Sequence, residues 1–138
     1  MDMNRFPTAG HLASWAGMAP GNNESAGKRR SGKTRKGSPW LRTLLVEAAY
    51  AAGRTKNTYL GAQYRRLAGR KGKKRAAIAV GHSILVIAYH LLRTRQPYED
   101  LGVDYWEQRT RQAQERRLFR QAQALGFTVA RQDDKPAA

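Results

Sequence analysis

The stretch that decides the fold is Ala76-Ala-Ile-Ala-Val-Gly-His-Ser-Ile-Leu-Val-Ile-Ala-Tyr-His-Leu-Leu92. It is the longest apolar run in the chain, and Gly81, His82, Ser83 and His90 interrupt it. Those interruptions make it too short and too polar to span a bilayer, so it is expected to be the central core helix, over residues 74–93. Working outward, the segments on either side should be helices that wrap it. On the N-terminal side, Leu60, Tyr64, Leu67 and Ala68 give an amphipathic helix over residues 59–68. Between the two lies Gly69-Arg-Lys-Gly-Lys-Lys-Arg75, expected to be a basic connector. Further upstream, Ser38-Pro39 is a good helix start: serine caps, and proline at the first helical position loses no needed N–H. Leu41, Leu44, Leu45, Ala48 and Ala52 follow at helical spacing, and Gly53 is the expected stop. Thr8 and Gly17 bracket a short helix over residues 7–17, with Leu12, Trp15 and Ala16 on one face.

Residues 18–37 carry four glycines, one proline, two asparagines and no apolar periodicity, which reads as a long loop. Loops of this length inside compact domains are usually functional or disordered. Downstream, Pro97-Tyr-Glu-Asp-Leu-Gly102 reads as a turn. Asp104 and Glu107 resemble a capping box at the head of a charged helix that runs to about Leu125, where Gly126 stops it. Phe127-Thr-Val129 suggests a short extended piece. The expected class is mainly α: a small helical domain with a long basic glycine-rich loop and a charged C-terminal helix. Its expected divisions are residues 1–95, a charged extension over 96–130, and a disordered tail over 131–138.

The chain has 138 residues, no cysteine and a net charge of +16. Disulfides and thiolate metal sites are therefore excluded. Met-Asp-Met-Asn-Arg-Phe is not a signal peptide, because no apolar region follows it. The charge is concentrated: residues 1–75 hold 17 basic and 3 acidic side chains, whereas residues 76–138 hold 9 and 7. A basic half-chain of this kind points first to nucleic acid, with salt-sensitive affinity. A basic membrane-surface helix fits less well, since the apolar helices look like core.

Within that half, Lys28, Arg29, Arg30, Lys33, Arg35, Lys36 and Arg42 fall in fifteen residues. Glycines nearby let the backbone approach a ligand, and the helix after Pro39 offers its positive end, so these residues form a candidate phosphate-binding surface. No Walker spacing is present, so nucleotide triphosphatase chemistry is not indicated. Arg65 to Arg75 is either a second backbone-contact surface or a solvated charge run. Trp15, Trp40 and Tyr59 could stack on bases, although aromatics at helical spacing are more often core. His11, His82 and His90 are too scattered to suggest a metal site. Ser25 lies in the basic loop. On its chemistry alone a loop serine is a turn former, since a serine nucleophile needs a base, and Glu24, though adjacent, points its side chain away from that of Ser25.

Phe6-Pro-Thr-Ala-Gly-His-Leu-Ala-Ser-Trp-Ala-Gly-Met-Ala-Pro20, then Ser25-Ala-Gly27, then Gly37 and Leu41-Arg42 before an alanine-rich helix, resembles the C-terminal domain of the transposases of insertion sequences 110, 116 and 902. The resemblance is dense over residues 5–52. Weaker likeness continues in Ala76–Leu92 and Tyr98-Glu-Asp-Leu-Gly102. It implies a DNA recombinase acting in transposition, with Ser25 as the nucleophile that attacks a phosphodiester. The seven basic residues would hold phosphates. It also implies DNA and a guide RNA as partners, and a RuvC-like domain or full-length protomers that supply the base and Mg²⁺. No metal or membrane site is expected in this chain itself, and its expected setting is the prokaryotic cytoplasm, with the nucleoid. Relative to the family the chain starts inside the domain, so a truncated or split protein is expected, inactive alone in strand transfer. A nucleic-acid-binding remnant without chemistry is the alternative.

Overall fold

A computed structural model describes residues 3–130, except for the side chain of Arg29; the tail expected over 131–138 lies outside the described residues. The chain divides into two compact units, Met1–Val103 and Asp104–Ala138. As expected, it is mainly α.

The first unit opens with a single 3-10 turn, Met3–Arg5, and then α1, Ala9–Trp15. The Thr8 side chain caps α1 by accepting from the His11 N–H, as the sequence indicates. Two strands follow, β1 (Asn23–Ser25) and β2 (Lys28–Ser31), then α2 (Pro39–Arg54), α3 (Tyr59–Lys71) and α4 (Lys73–Thr94). Helix α4 is the centre, and α1, α2 and α3 all pack on it. Its residues Leu85 and Tyr89 join Leu12, Ala13, Ala16, Met18 and Leu45 in one buried cluster. Ala77 and Val80 join Ala49 in a second, flanked by Leu60, Tyr64 and Leu67. The small residues are what let three helices approach a fourth. Helix α4 has 22 residues, and an 18-residue stretch of it has a mean hydropathy of 1.5, so by length and composition alone it is apolar enough to cross a membrane, contrary to the sequence expectation. Its packing against three helices makes it the core helix instead.

Tyr89 fixes the N-terminal arm to this core. Its hydroxyl donates to the Phe6 carbonyl at 2.9 Å and accepts from Arg93 Nη1 at 2.6 Å. Arg93 also donates to the Pro7 carbonyl at 3.1 Å. Phe6 in turn stacks obliquely on Trp15, ring centres 5.6 Å apart.

Five features differ from expectation. Helix α2 runs through Gly53 to Arg54; a Cβ at Gly53 would lie 2.5 Å from the Tyr64 ring, so this glycine serves packing between α2 and α3. The basic run 69–75 is helix, broken only at Gly72, whose φ of 82° is open to glycine at low cost. Lysine and arginine are good helix formers, so their charge alone does not make a connector. Residues 18–37 are not structureless, as described below. In the second unit, α5 (Tyr105–Ala124) starts at Asp104 without a side-chain cap bond, because Asp104 is itself helical in backbone (φ −80°, ψ −10°) and no capping box forms. Helix α5 carries an Arg111–Glu115 ion pair at 3.4 Å one turn apart and buries no residue. Gly126 follows it at φ 81°, and no strand forms at residues 127–129.

Candidate nucleic-acid interface

The basic segment is a β-hairpin. Strands β1 and β2 pair antiparallel with Ser25 opposite Lys28 and Glu24 opposite Arg29; Asn23 then pairs with Ser31. Arg30 is skipped in that register, so it is the extra residue of a bulge on β2, a device that re-aims a side chain. Below the bulge the Gly21 N–H donates to the Lys33 carbonyl at 3.1 Å, and Pro20 bridges to Thr34. The hairpin therefore extends from Pro20 to Thr34. Its signal was hidden because both faces are polar. Strand recognition relies on apolar alternation, and β1 is exposed at every position.

The turn is Ala26-Gly27, with φ of 51° and 71°. Two successive positive φ values are the mark of the turn whose twist matches a hairpin. Glycine adopts this freely, but alanine at such a φ costs about 1 kcal/mol. A strained residue thus sits directly after Ser25. Residues in direct opposition share a face, so Ser25 and Lys28 project from the same side of the exposed tip.

At the other end the hairpin is closed by a backbone crossing. Gly17, at φ 70°, meets Gly37, and a Cβ on Gly37 would lie 2.2 Å from the Gly17 nitrogen. Only two glycines can cross so closely. Arg42 Nη1 donates to the Gly17 carbonyl at 3.4 Å, tying the first turn of α2 to the end of α1. Ser38 caps α2, its Oγ accepting from the Leu41 N–H at 3.5 Å. Trp40, beside that cap, is 84% exposed.

The seven basic residues are therefore spread along a ladder. Lys28 and Arg30 lie at the tip, Lys33 in the lower hairpin, and Arg35, Lys36 and Arg42 at the neck by the start of α2. The side chain of Arg29 lies outside the description. Lys28, Arg30, Lys33, Arg35 and Lys36 are exposed, whereas Arg42 is half-buried with one donor engaged. Of the aromatic candidates, Trp40 is free to stack, Trp15 packs on Phe6, and Tyr59 is half-buried.

Tyr59 belongs to a separate feature. Its N–H donates to Asp100 Oδ1 at 3.0 Å, and the Gly102 N–H donates to the same oxygen at 2.8 Å. The Tyr98 hydroxyl donates to Asp100 Oδ2 at 3.0 Å. This carboxylate strap holds the segment after α4 against the start of α3. Desolvation works against the Asp100 charge, but the three donors outweigh it and lower its pKa. Burial, then the bond to Asp100, pushes the Tyr98 phenol up to about 12. A cavity of about 490 Å³ with an apolar lining that includes Val86, Ile87 and Leu101 lies behind the strap.

Among the described residues, no group of three or more His, Cys, Asp or Glu side chains could hold a metal ion. His11 Nδ1 lies 2.7 Å from the Thr8 hydroxyl at the α1 cap, and His90 is exposed.

Comparison with known proteins agrees with the motif reading. Residues 1–65, which include α1, the hairpin, α2 and the first half of α3, match the family described as Transposase IS116/IS110/IS902. No curated protein and no solved structure matches the chain.

Proposed function

We propose, from the match of residues 1–65 to the transposase IS116/IS110/IS902 family, that the chain acts in insertion-element transposition and supplies the serine-bearing, DNA-gripping part of such a recombinase. Ser25 is the nucleophile in this reading. Its Oγ forms a bond to the scissile phosphorus, the bond from phosphorus to the departing strand's oxygen breaks, and that oxygen takes up a proton. The product is a phosphoserine link to a DNA end. The serine proton passes to a base on a RuvC-like partner, because Glu24, the carboxylate next to Ser25 in β1, projects from the opposite face of the strand. The metal ion that such chemistry calls for is assigned to the same partner, since the described residues offer no group to hold it.

The observation that carries the proposal is the placement of Ser25 beside a strained turn, at an exposed tip, opposite Lys28. Strained backbone concentrates at functional sites, and a cation on the nucleophile's face stabilises charge that develops on the phosphate. Lys28 and Arg30 contact the attacked phosphate. Lys33, Arg35, Lys36 and Arg42 hold flanking phosphates, and Arg29 lies between Lys28 and Arg30 in sequence.

The test is a denaturing-gel assay for a covalent protein–DNA adduct. The chain is combined with a RuvC-like portion, Mg²⁺, element-end DNA and the element's RNA. An adduct is expected with the native chain and not with Ser25→Ala, while both bind DNA equally. Equal adduct from both refutes the role of Ser25. No adduct from either, alongside an intact family member that forms one, leaves a nucleic-acid-binding module without chemistry.

A further inference from the structure

The hairpin and the helices behind it enclose a groove that shares only Lys33 with the phosphate contacts proposed for the serine chemistry. It has a volume of about 1090 Å³ and runs between the lower hairpin and the α3–α4 junction. Its rim carries Lys33 from the hairpin, Lys71 from the end of α3, and Lys74 and Arg75 from the start of α4. No carboxylate lines it. Three of these four cations lie beyond the residues that match the transposase family.

The lining supplies the second observation. Gln63 is only 8% exposed, and its Nε2 donates to Ser83 Oγ at 2.9 Å, while Ser83 donates to the Ala79 carbonyl at 3.3 Å. That chain fixes the amide and leaves Gln63 Oε1 buried without a partner. Nδ1 of His82, also in the lining, is likewise buried and unpartnered. An unpaired buried polar atom costs about 1–3 kcal/mol, so two together call for a ligand that supplies hydrogen bonds. Leu67 and Ile78 add apolar surface beside them.

We propose that this groove binds a single strand of nucleic acid, with phosphates on the four rim cations and a base turned inward against Gln63 and His82. The rim alone would suit any polyanion. The inner wall asks for more: a flat ligand with an apolar face and a hydrogen-bond donor on its edge, which an unstacked base provides. A duplex keeps its bases stacked and would present only phosphates. The site shares with the proposed function its nucleic-acid ligand, but it does not depend on Ser25 being a nucleophile.

The experiment measures binding of the full chain to fluorescent twelve-nucleotide oligothymidylate and oligouridylate, and to an abasic strand of equal length, across a salt series. In the variant Lys71→Gln/Lys74→Gln/Arg75→Gln all three changes are at exposed helix positions, and circular dichroism checks that its helices persist. Each phosphate contact on a single strand contributes about 0.7 to the salt slope, so losing three should lower the slope by about 2. Affinity for both intact strands should fall tenfold or more. The abasic strand should bind the native chain more weakly than the intact ones, and Gln63→Leu should narrow that gap. An unchanged slope in the triple variant overturns the site. Equal binding of abasic and intact strands overturns the inward base. Ser25→Ala should leave every one of these values as they are, so failure here and failure of the nucleophile assignment are separable.

Discussion

Gly37→Ala tests whether the neck of the hairpin is a packed backbone crossing. The added Cβ would lie 2.2 Å from the Gly17 nitrogen, 2.3 Å from the Ala16 carbonyl carbon and 2.6 Å from its oxygen, against 3.4 Å or more for ordinary contact. The two chain segments would have to separate by about 1 Å, and none of the three atoms belongs to a side chain that could swing aside. Overpacking of this kind typically costs about 1–3 kcal/mol, and purely backbone neighbours place it at the upper end. Alanine returns roughly 0.4–1 kcal/mol by restricting the unfolded chain. The net loss is about 2 kcal/mol, which for a unit of this size lowers Tm by roughly 10 °C. Thermal unfolding followed by circular dichroism reads it directly. Gly69→Ala is the control: this glycine lies inside α3 with nothing within 4 Å of the added carbon. It should raise stability by roughly 0.5–1 kcal/mol, the ordinary helix preference for alanine. If Gly37→Ala melts within about 2 °C of the native chain, the crossing is not what closes the hairpin.

Four further outcomes follow from the same structure. Ala26→Gly should relieve the turn strain and stabilise the hairpin by about 1 kcal/mol, read as slower amide exchange at Lys28 if the turn has the geometry described. Tyr89→Phe should cost about 1 kcal/mol in denaturant unfolding, because the half-buried Phe6 carbonyl loses its donor. In an absorbance titration, phenolate formation should continue up to about pH 12, and Tyr98→Phe should remove that last step. For Tyr98 the folded pKa is raised, so its contribution is complete below the ordinary tyrosine value and fades as pH climbs toward 12. Asp100 has the opposite sign: its lowered pKa makes the strap strongest above the usual carboxylate range and weakens it as acid protonates the group. Amide exchange at Tyr59 should therefore quicken in acid, and Asp100→Asn should flatten that pH dependence.

The helical elements were legible because their signals are local. Thr8 and Ser38 cap the helices they were expected to cap, and the periodicity of Leu41, Leu45 and Ala52 placed α2 correctly. What was hidden depended on distant neighbours. Gly53 looks like a terminator until Tyr64 is seen lying across it. The cationic run after Gly69 looks like a linker until its helix propensity outweighs its charge. The hairpin has no apolar face to announce it, and Ala26 is an unusual residue for its turn. Arg42 was expected among phosphate contacts, and the structure gives one of its donors to Gly17. Gln63 carries no signal in sequence at all, because its meaning lies in an oxygen left without a partner.

The two strands of the hairpin pack on each other and, among the described residues, approach no helix closely. The reach of Ser25 is thereby uncoupled from the stability of the core. Lengthening each strand by two residues would carry the serine about 7 Å farther out without disturbing a buried side chain. Such a stalk lets the distance between a reactive tip and a fixed body drift or be engineered on its own, so a protein built this way can be retuned to a new spacing between partners by insertion alone.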